Sequence, residues 1–101
     1  VDITEAQKLA WENKLAKGFN TTDIALEYGL LSAEVGEAFT AWRKGLPDQG
    51  EELADVCIYA MAIAEMQGID LADAVKEKIE KNARRVYAPG ANGTLVRTSQ
   101  E

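Results

Sequence analysis

The sequence predicts an all-α fold, four helices completed by homo-oligomerisation and followed by an irregular C-terminal tail. Three observations carry this. No segment sustains the period-two alternation of a strand. Apolar residues recur instead at spacings of three and four, between breaks at Gly18, Gly45-Leu46-Pro47 and Gly68. Finally, 47% of the 101 residues are hydrophobic, enough for one globular domain with a modest core that gains from association. The expected division is a helical domain over 1–87 and a tail over 88–101.

The first helix is predicted from about Glu5 to Ala16, with Thr4 and Gln7 placed as a capping box and Gly18 closing it. Asn20, Thr21 and Thr22 offer capping side chains for the second helix, Asp23 to Arg43. One stripe of that helix is Ile24, Tyr28, Leu31, Val35, Ala38/Phe39 and Trp42. Another face carries Leu30, Glu34, Glu37 and Ala41, with Leu26 and Ala33 beside it. So little of it suits open water that covering on two sides, partly by another subunit, is expected. Gly29 and Gly36 suggest close helix packing rather than a phosphate loop.

The third helix is predicted over Glu51–Gln67 and projects Glu52, Asp55, Tyr59, Ala62 and Met66 along one face. Gly68 suits its C-terminal end. Asp70 and Asp73 then provide an N-cap and first-turn charge for a fourth helix, Leu71–Tyr87. Its apolar stripe is Leu71, Val75, Ile79 and Val86, flanked by Lys78, Asn82 and Arg85 on a cationic and amide-bearing face. In the tail, Pro89-Gly90 and Asn92-Gly93 mark turns, with a short hairpin predicted at Asn-Gly.

Composition narrows the chemistry. Net charge is −6, which disfavours nucleic acid and anionic membranes as partners. The chain contains no histidine, so no imidazole-based triad, acid–base pair or histidine zinc site can be built within it. The lone Cys57 cannot form an internal disulfide and is expected to be buried in a reduced, cytoplasmic setting. Neither a leader nor a membrane-length apolar run is read from the sequence. Trp11 and Trp42 are expected in the core or at an interface.

The informative pattern is two carboxylate pairs, Glu34/Glu37 and Glu52/Asp55, each spaced i, i+3 so that both side chains share a helix face. Asp55 is the only charged residue from Leu53 to Ala64. A carboxylate buried there needs a proton, a cation or a hydrogen-bond network. Surface ion pairs with bases are the ordinary fate of Glu-x-x-Glu. Here Arg43 and Lys44 are the only bases near the first pair, and none lies inside the third helix. Facing pairs would instead cradle a hard divalent ion, Mg²⁺ with Mn²⁺ as a substitute, which polarises phosphoryl oxygens and aligns in-line attack. Diiron bundles use Glu-x-x-His, which is absent. Lys78, Asn82 and Arg85 could clamp phosphates and a nucleoside, or form a solvated face suited to the helix C-terminus. Tyr59 could stack on a base, or pack in the core.

Glu34-x-x-Glu37, the interval 38–51, Glu52-x-x-Asp55 and the Lys78-Asn82-Arg85 face together resemble the MazG-like nucleoside triphosphate pyrophosphohydrolases of the all-α NTP pyrophosphatase superfamily. The resemblance covers roughly Ile24 to Tyr87. It implies a helical homodimer or dimer of dimers that hydrolyses an NTP or dNTP to the monophosphate and pyrophosphate, in nucleotide-pool cleansing. Carried onto this chain, Glu34, Glu37, Glu52 and Asp55 would hold Mg²⁺ and serve catalysis, one glutamate orienting the water. Lys78 and Arg85 would contact phosphates, and Asn82 and Tyr59 the nucleoside. Ala33 departs from the pattern, since many members have a further glutamate there. The second catalytic-type domain of tandem members is also not expected. Phosphoribosyl-ATP pyrophosphohydrolase is an alternative within the superfamily. A non-catalytic helical metal- or nucleotide-binding module is an alternative outside enzymology.

Overall fold

A computed structural model describes residues 1–101. In chain order the elements are α1 (Ile3–Lys17), α2 (Ile24–Arg43), α3 (Gln49–Met66), α4 (Leu71–Arg84), β1 (Tyr87–Pro89) and β2 (Leu95–Arg97). They form two compact units, Val1–Leu71 and Ala72–Glu101. The all-α expectation holds, with a two-stranded hairpin as the only sheet.

In the first unit, α3 packs on both α2 and α1. Four of its five buried apolar side chains are alanines, Ala38 and Ala41 from α2 and Ala62 and Ala64 from α3, and the fifth is Ile63 of α3. Small residues let helix backbones approach, so the contact comes from proximity rather than bulk. Polar side chains add specific ties. Gln7, 7% exposed, donates to Glu65 at 2.8 Å and to the Ile69 carbonyl at 3.0 Å, fastening α1 to the end of α3. That occupies Gln7 elsewhere than in the expected capping box. Asp2 caps α1 instead, accepting from the Glu5 N–H at 2.8 Å, so the helix starts two residues early.

Helix ends follow local chemistry. Gly18 (φ 71°) and Gly45 (φ 66°) adopt the left-handed conformation that closes α1 and α2. Asp23 caps α2 through the Leu26 N–H at 3.0 Å, while Asn20 accepts from the Thr22 and Asp23 N–H groups just before it. α3 begins at Gln49, directly after Pro47-Asp48. Gly68 (φ 69°) follows its C-cap, Gln67.

α2 leaves much apolar surface uncovered. Tyr28, Val35, Phe39 and Trp42 are all more than half exposed, and the Phe39 and Trp42 ring centroids lie 5.9 Å apart. Trp11 is half-buried. Two expectations fail. Nothing lies within 4 Å of a Cβ built on Gly29 or Gly36, so neither marks a close helix approach within the chain. Cys57 is exposed, because it shares the α3 face of Leu53, four residues earlier, which is exposed too.

In the second unit, α4 ends at Arg84 rather than Tyr87. The hairpin claims the following backbone: Tyr87 pairs with Arg97, and the Val86 carbonyl accepts the Thr98 N–H at 2.7 Å. Pro89 could not have continued a helix. The turn forms at Asn92-Gly93 as expected, Gly93 having φ 82° and Asn92 accepting from the Thr94 N–H at 3.0 Å. On the α4 stripe, Leu71 and Val75 are half-buried, whereas Ile79 and Val86 are exposed.

Candidate metal centre and adjoining cavities

α2 and α3 bring three of the four motif carboxylates together. Glu34, Glu37 and Glu52 each offer an oxygen within 4.8 Å of the others. The i, i+3 spacing supplies Glu34 and Glu37 from one face of α2, and the α2–α3 contact adds Glu52. Asp55 is not part of this trio. It lines a cavity of about 410 Å³ together with Tyr59, Ile58, Leu30 and Phe19.

The electrostatics of the trio are unfavourable without a counter-charge. Burial pushes the Glu34 carboxyl above its ordinary range, and Glu37, Asp55 and Glu52 push it further. Burial likewise raises Glu52, followed by the charges of Glu37, Asp48 and Asp55. Glu34 Oε2 and Glu52 Oε2 are buried and have no hydrogen-bond partner. Two orphaned oxygens in a three-carboxylate cluster are the condition that a hard cation relieves, so the donor set fits Mg²⁺ or Mn²⁺.

Tyr59 sits in the same field. Burial first, then the charges of Glu34, Glu27, Asp55 and Glu37, raise its phenol above the ordinary range. It therefore stays a hydroxyl donor at neutral pH. The Lys14 ammonium lies 6.0 Å from its ring centroid.

Four residues of these cavities are not among the expected site residues, Asn20 being expected only as a cap. Lys14 donates to Glu27, whose side chain is fully buried, and Asn20 donates to the other Glu27 oxygen at 3.1 Å. All three line the cavity with Asp55 and Tyr59. No sequence signal pairs residues 14 and 27, because the pairing depends on how α1 meets α2. Asp48 is the fourth. It lies before the predicted start of the third helix, and it lines a second cavity, of about 440 Å³, with Glu37 and Glu52.

On α4, Lys78 and Asn82 are exposed, and Arg85 follows the last helical residue. Arg85 donates to Asn82 Oδ1 at 3.1 Å and to the Glu101 carbonyl at 2.6 Å. Desolvation, then the charges of Arg85, Lys81 and Arg97, hold the Lys78 ammonium below its ordinary range. Lys81, Arg85 and Arg97 thus act on Lys78, while the Glu101 carboxylate pairs with Arg84 at 2.8 Å in the same unit.

Residues 24–87 match the MazG nucleotide pyrophosphohydrolase domain. The chain belongs to this family. Its fold is similar to that of a MazG-like pyrophosphohydrolase from cyanophage S-2L, solved with dGDP and three catalytic Mn²⁺ ions in each active site. That match has a TM-score of 0.70 and 22% identity, and it covers 98% of this chain and 99% of that one. Among curated proteins, none matches the sequence. No helix is long and apolar enough to cross a membrane.

Proposed function

We propose that this MazG-family protein is a Mg²⁺-dependent nucleoside triphosphate pyrophosphohydrolase, with Mn²⁺ as a substitute ion, acting on an NTP or dNTP in nucleotide-pool cleansing. The observation that carries the reading is the Glu34–Glu37–Glu52 trio, with its buried unpartnered oxygens. Catalytic Mn²⁺ in the cyanophage protein supports the same choice of ion.

Glu34, Glu37, Glu52 and Asp55 would hold the metal, which supplies charge neutralisation and Lewis acidity to the triphosphate when bound. Tyr59, with the cavity beside Asp55, receives the nucleoside through its hydroxyl and ring face. A glutamate of the trio orients the attacking water and takes its proton. Water oxygen bonds the α-phosphorus, the α–β bridging bond breaks, and pyrophosphate leaves. Lys78 and Arg85 are proposed as phosphate contacts and Asn82 as a nucleoside contact, on the strength of the family pattern. A homodimer or dimer of dimers in the cytoplasm completes the proposal, the exposed α2 stripe favouring self-association.

A pyrophosphate-release screen over common and modified NTPs, phosphoribosyl-ATP included, tests this. At least one NTP should release pyrophosphate with Mg²⁺ present. Glu52→Gln and Asp55→Asn should each abolish turnover while helical circular dichroism is retained. Full activity in both variants would sink the assignment.

A further inference from the structure

Asp48 stands at the start of α3 without a capping side-chain bond, and its φ of −97° and ψ of 17° are not the extended backbone of Asp2 and Asp23. Its carbonyl accepts the Glu52 N–H at 3.0 Å, but its carboxylate caps nothing. Asp2 and Asp23, at the starts of α1 and α2, both use theirs. Asp48 Oδ1 is instead buried without a partner.

The cavity that Asp48 lines explains what such an oxygen could meet. Glu37 and Glu52 share its wall, and Ala33, Gly36 and Ala41 add no polar side-chain group. Thr40 is the only neutral polar side chain there, and it leaves Asp48 Oδ1 unsatisfied. No lysine or arginine lines the space. A buried carboxylate oxygen with no donor is costly, and two neighbouring carboxylates add repulsion. A cation relieves both.

We propose that Asp48 is a supporting carboxylate of the metal centre, reaching the cation on the Glu37–Glu52 side through a bound water, since it lies outside the trio whose oxygens approach within 4.8 Å. The inference rests on the metal-dependent reading above and extends it to a residue outside the two motif pairs.

The test is Mn²⁺ binding to the metal-free, full-length protein, followed by calorimetry and by electron paramagnetic resonance, without nucleotide. Asp48→Asn and Asp48→Ser both remove the charge and keep a polar side chain at the start of α3. Both should weaken Mn²⁺ binding by about tenfold or more, the scale seen when groups supporting a metal site are removed. Their metal-free melting temperatures should equal or exceed that of the wild type, and their gain in melting temperature on adding Mn²⁺ should shrink. Wild-type isotherms in both variants overturn the inference, as does a lowered metal-free melting temperature with unchanged Mn²⁺ binding. Glu52→Gln separates the two levels. If it abolishes Mn²⁺ binding while Asp48→Asn leaves it intact, only the role of Asp48 fails. If the wild type binds no Mn²⁺, the metal-dependent reading and this inference fall together.

Discussion

Lys14 of α1 donates to Glu27 of α2, a carboxylate with 0% exposure, on the wall of the cavity that also holds Asp55 and Tyr59. Asn20 satisfies the second oxygen, so the Glu27 carboxylate is completed by two neighbours. Breaking a buried pair from one side leaves an uncompensated charge, whereas replacing both partners with apolar groups can be nearly neutral. Lys14→Met should therefore destabilise the protein by about 3 kcal/mol in urea unfolding, and the double variant Lys14→Met/Glu27→Leu should recover most of that loss. Equal destabilisation by the single and double variants would show that the pair contributes little as a pair.

The carboxylate trio makes the metal-free protein sensitive to pH in a defined direction. Glu34 and Glu52 have raised folded-state pKa values, through burial first and then neighbouring carboxylates. Above the ordinary glutamate value, about 4.3, the folded state then binds more protons than the unfolded chain, so these two groups lower stability as pH rises. The melting temperature of chelator-treated protein should carry this downward contribution from about pH 4.3 upward, and Glu52→Gln should flatten the slope. Metal binding needs the ionised carboxylates, so Mn²⁺ stabilisation should grow over the same range. Identical pH slopes in the wild type and Glu52→Gln would contradict the field assigned to this cluster.

Much of this arrangement is legible along the chain because it is local. The four helices follow from apolar spacing, and Gly18, Gly45 and the Asn92-Gly93 turn from the backbone conformations that those residues favour. The approach of Glu34 to Glu37 is likewise set by helical periodicity, and Glu52 joins them through the packing of α2 on α3. What the sequence hides is tertiary. Lys14 and Glu27 meet through the turn between α1 and α2, and Gln7 looks like half of a capping box until Glu65 and the Ile69 carbonyl come within reach. Asp48 lies outside the predicted third helix, and only the packed structure shows its carboxylate oxygen buried and unbonded. Cys57 was expected inside for its apolar neighbours, but an apolar neighbourhood in sequence does not decide which helix face is covered.

The exposed α2 stripe predicts self-association. Tyr28, Val35, Phe39 and Trp42 recur at helical spacing, with Phe39 at 57% and Trp42 at 61% exposure. Contiguous apolar surface of this kind marks an interaction face. Light scattering on the wild type should give a multiple of the 11.0 kDa protomer mass, and Val35→Asp/Phe39→Glu should shift the population toward the protomer. A monomeric wild type at working concentration would rule this out.

Tyr59 offers the sharpest probe of the cavity proposed to receive the nucleoside. Its ring lies beneath the Lys14 ammonium, and its hydroxyl is kept protonated by burial and by the surrounding carboxylates. Tyr59→Phe preserves the ring contact and removes only the hydroxyl. If that hydroxyl bonds the nucleoside in ground and transition states alike, KM should rise while kcat stays nearly constant. The loss of one such hydrogen bond, about 1 kcal/mol, corresponds to roughly a fivefold change. Tyr59→Ala should raise KM further and lower the melting temperature, because it also empties the space that the ring fills. Tyrosine ionisation should leave no inflection in the wild-type KM profile below about pH 10. Unchanged KM in Tyr59→Phe across the substrate panel would remove the hydroxyl from the recognition set and leave the ring alone as its contribution.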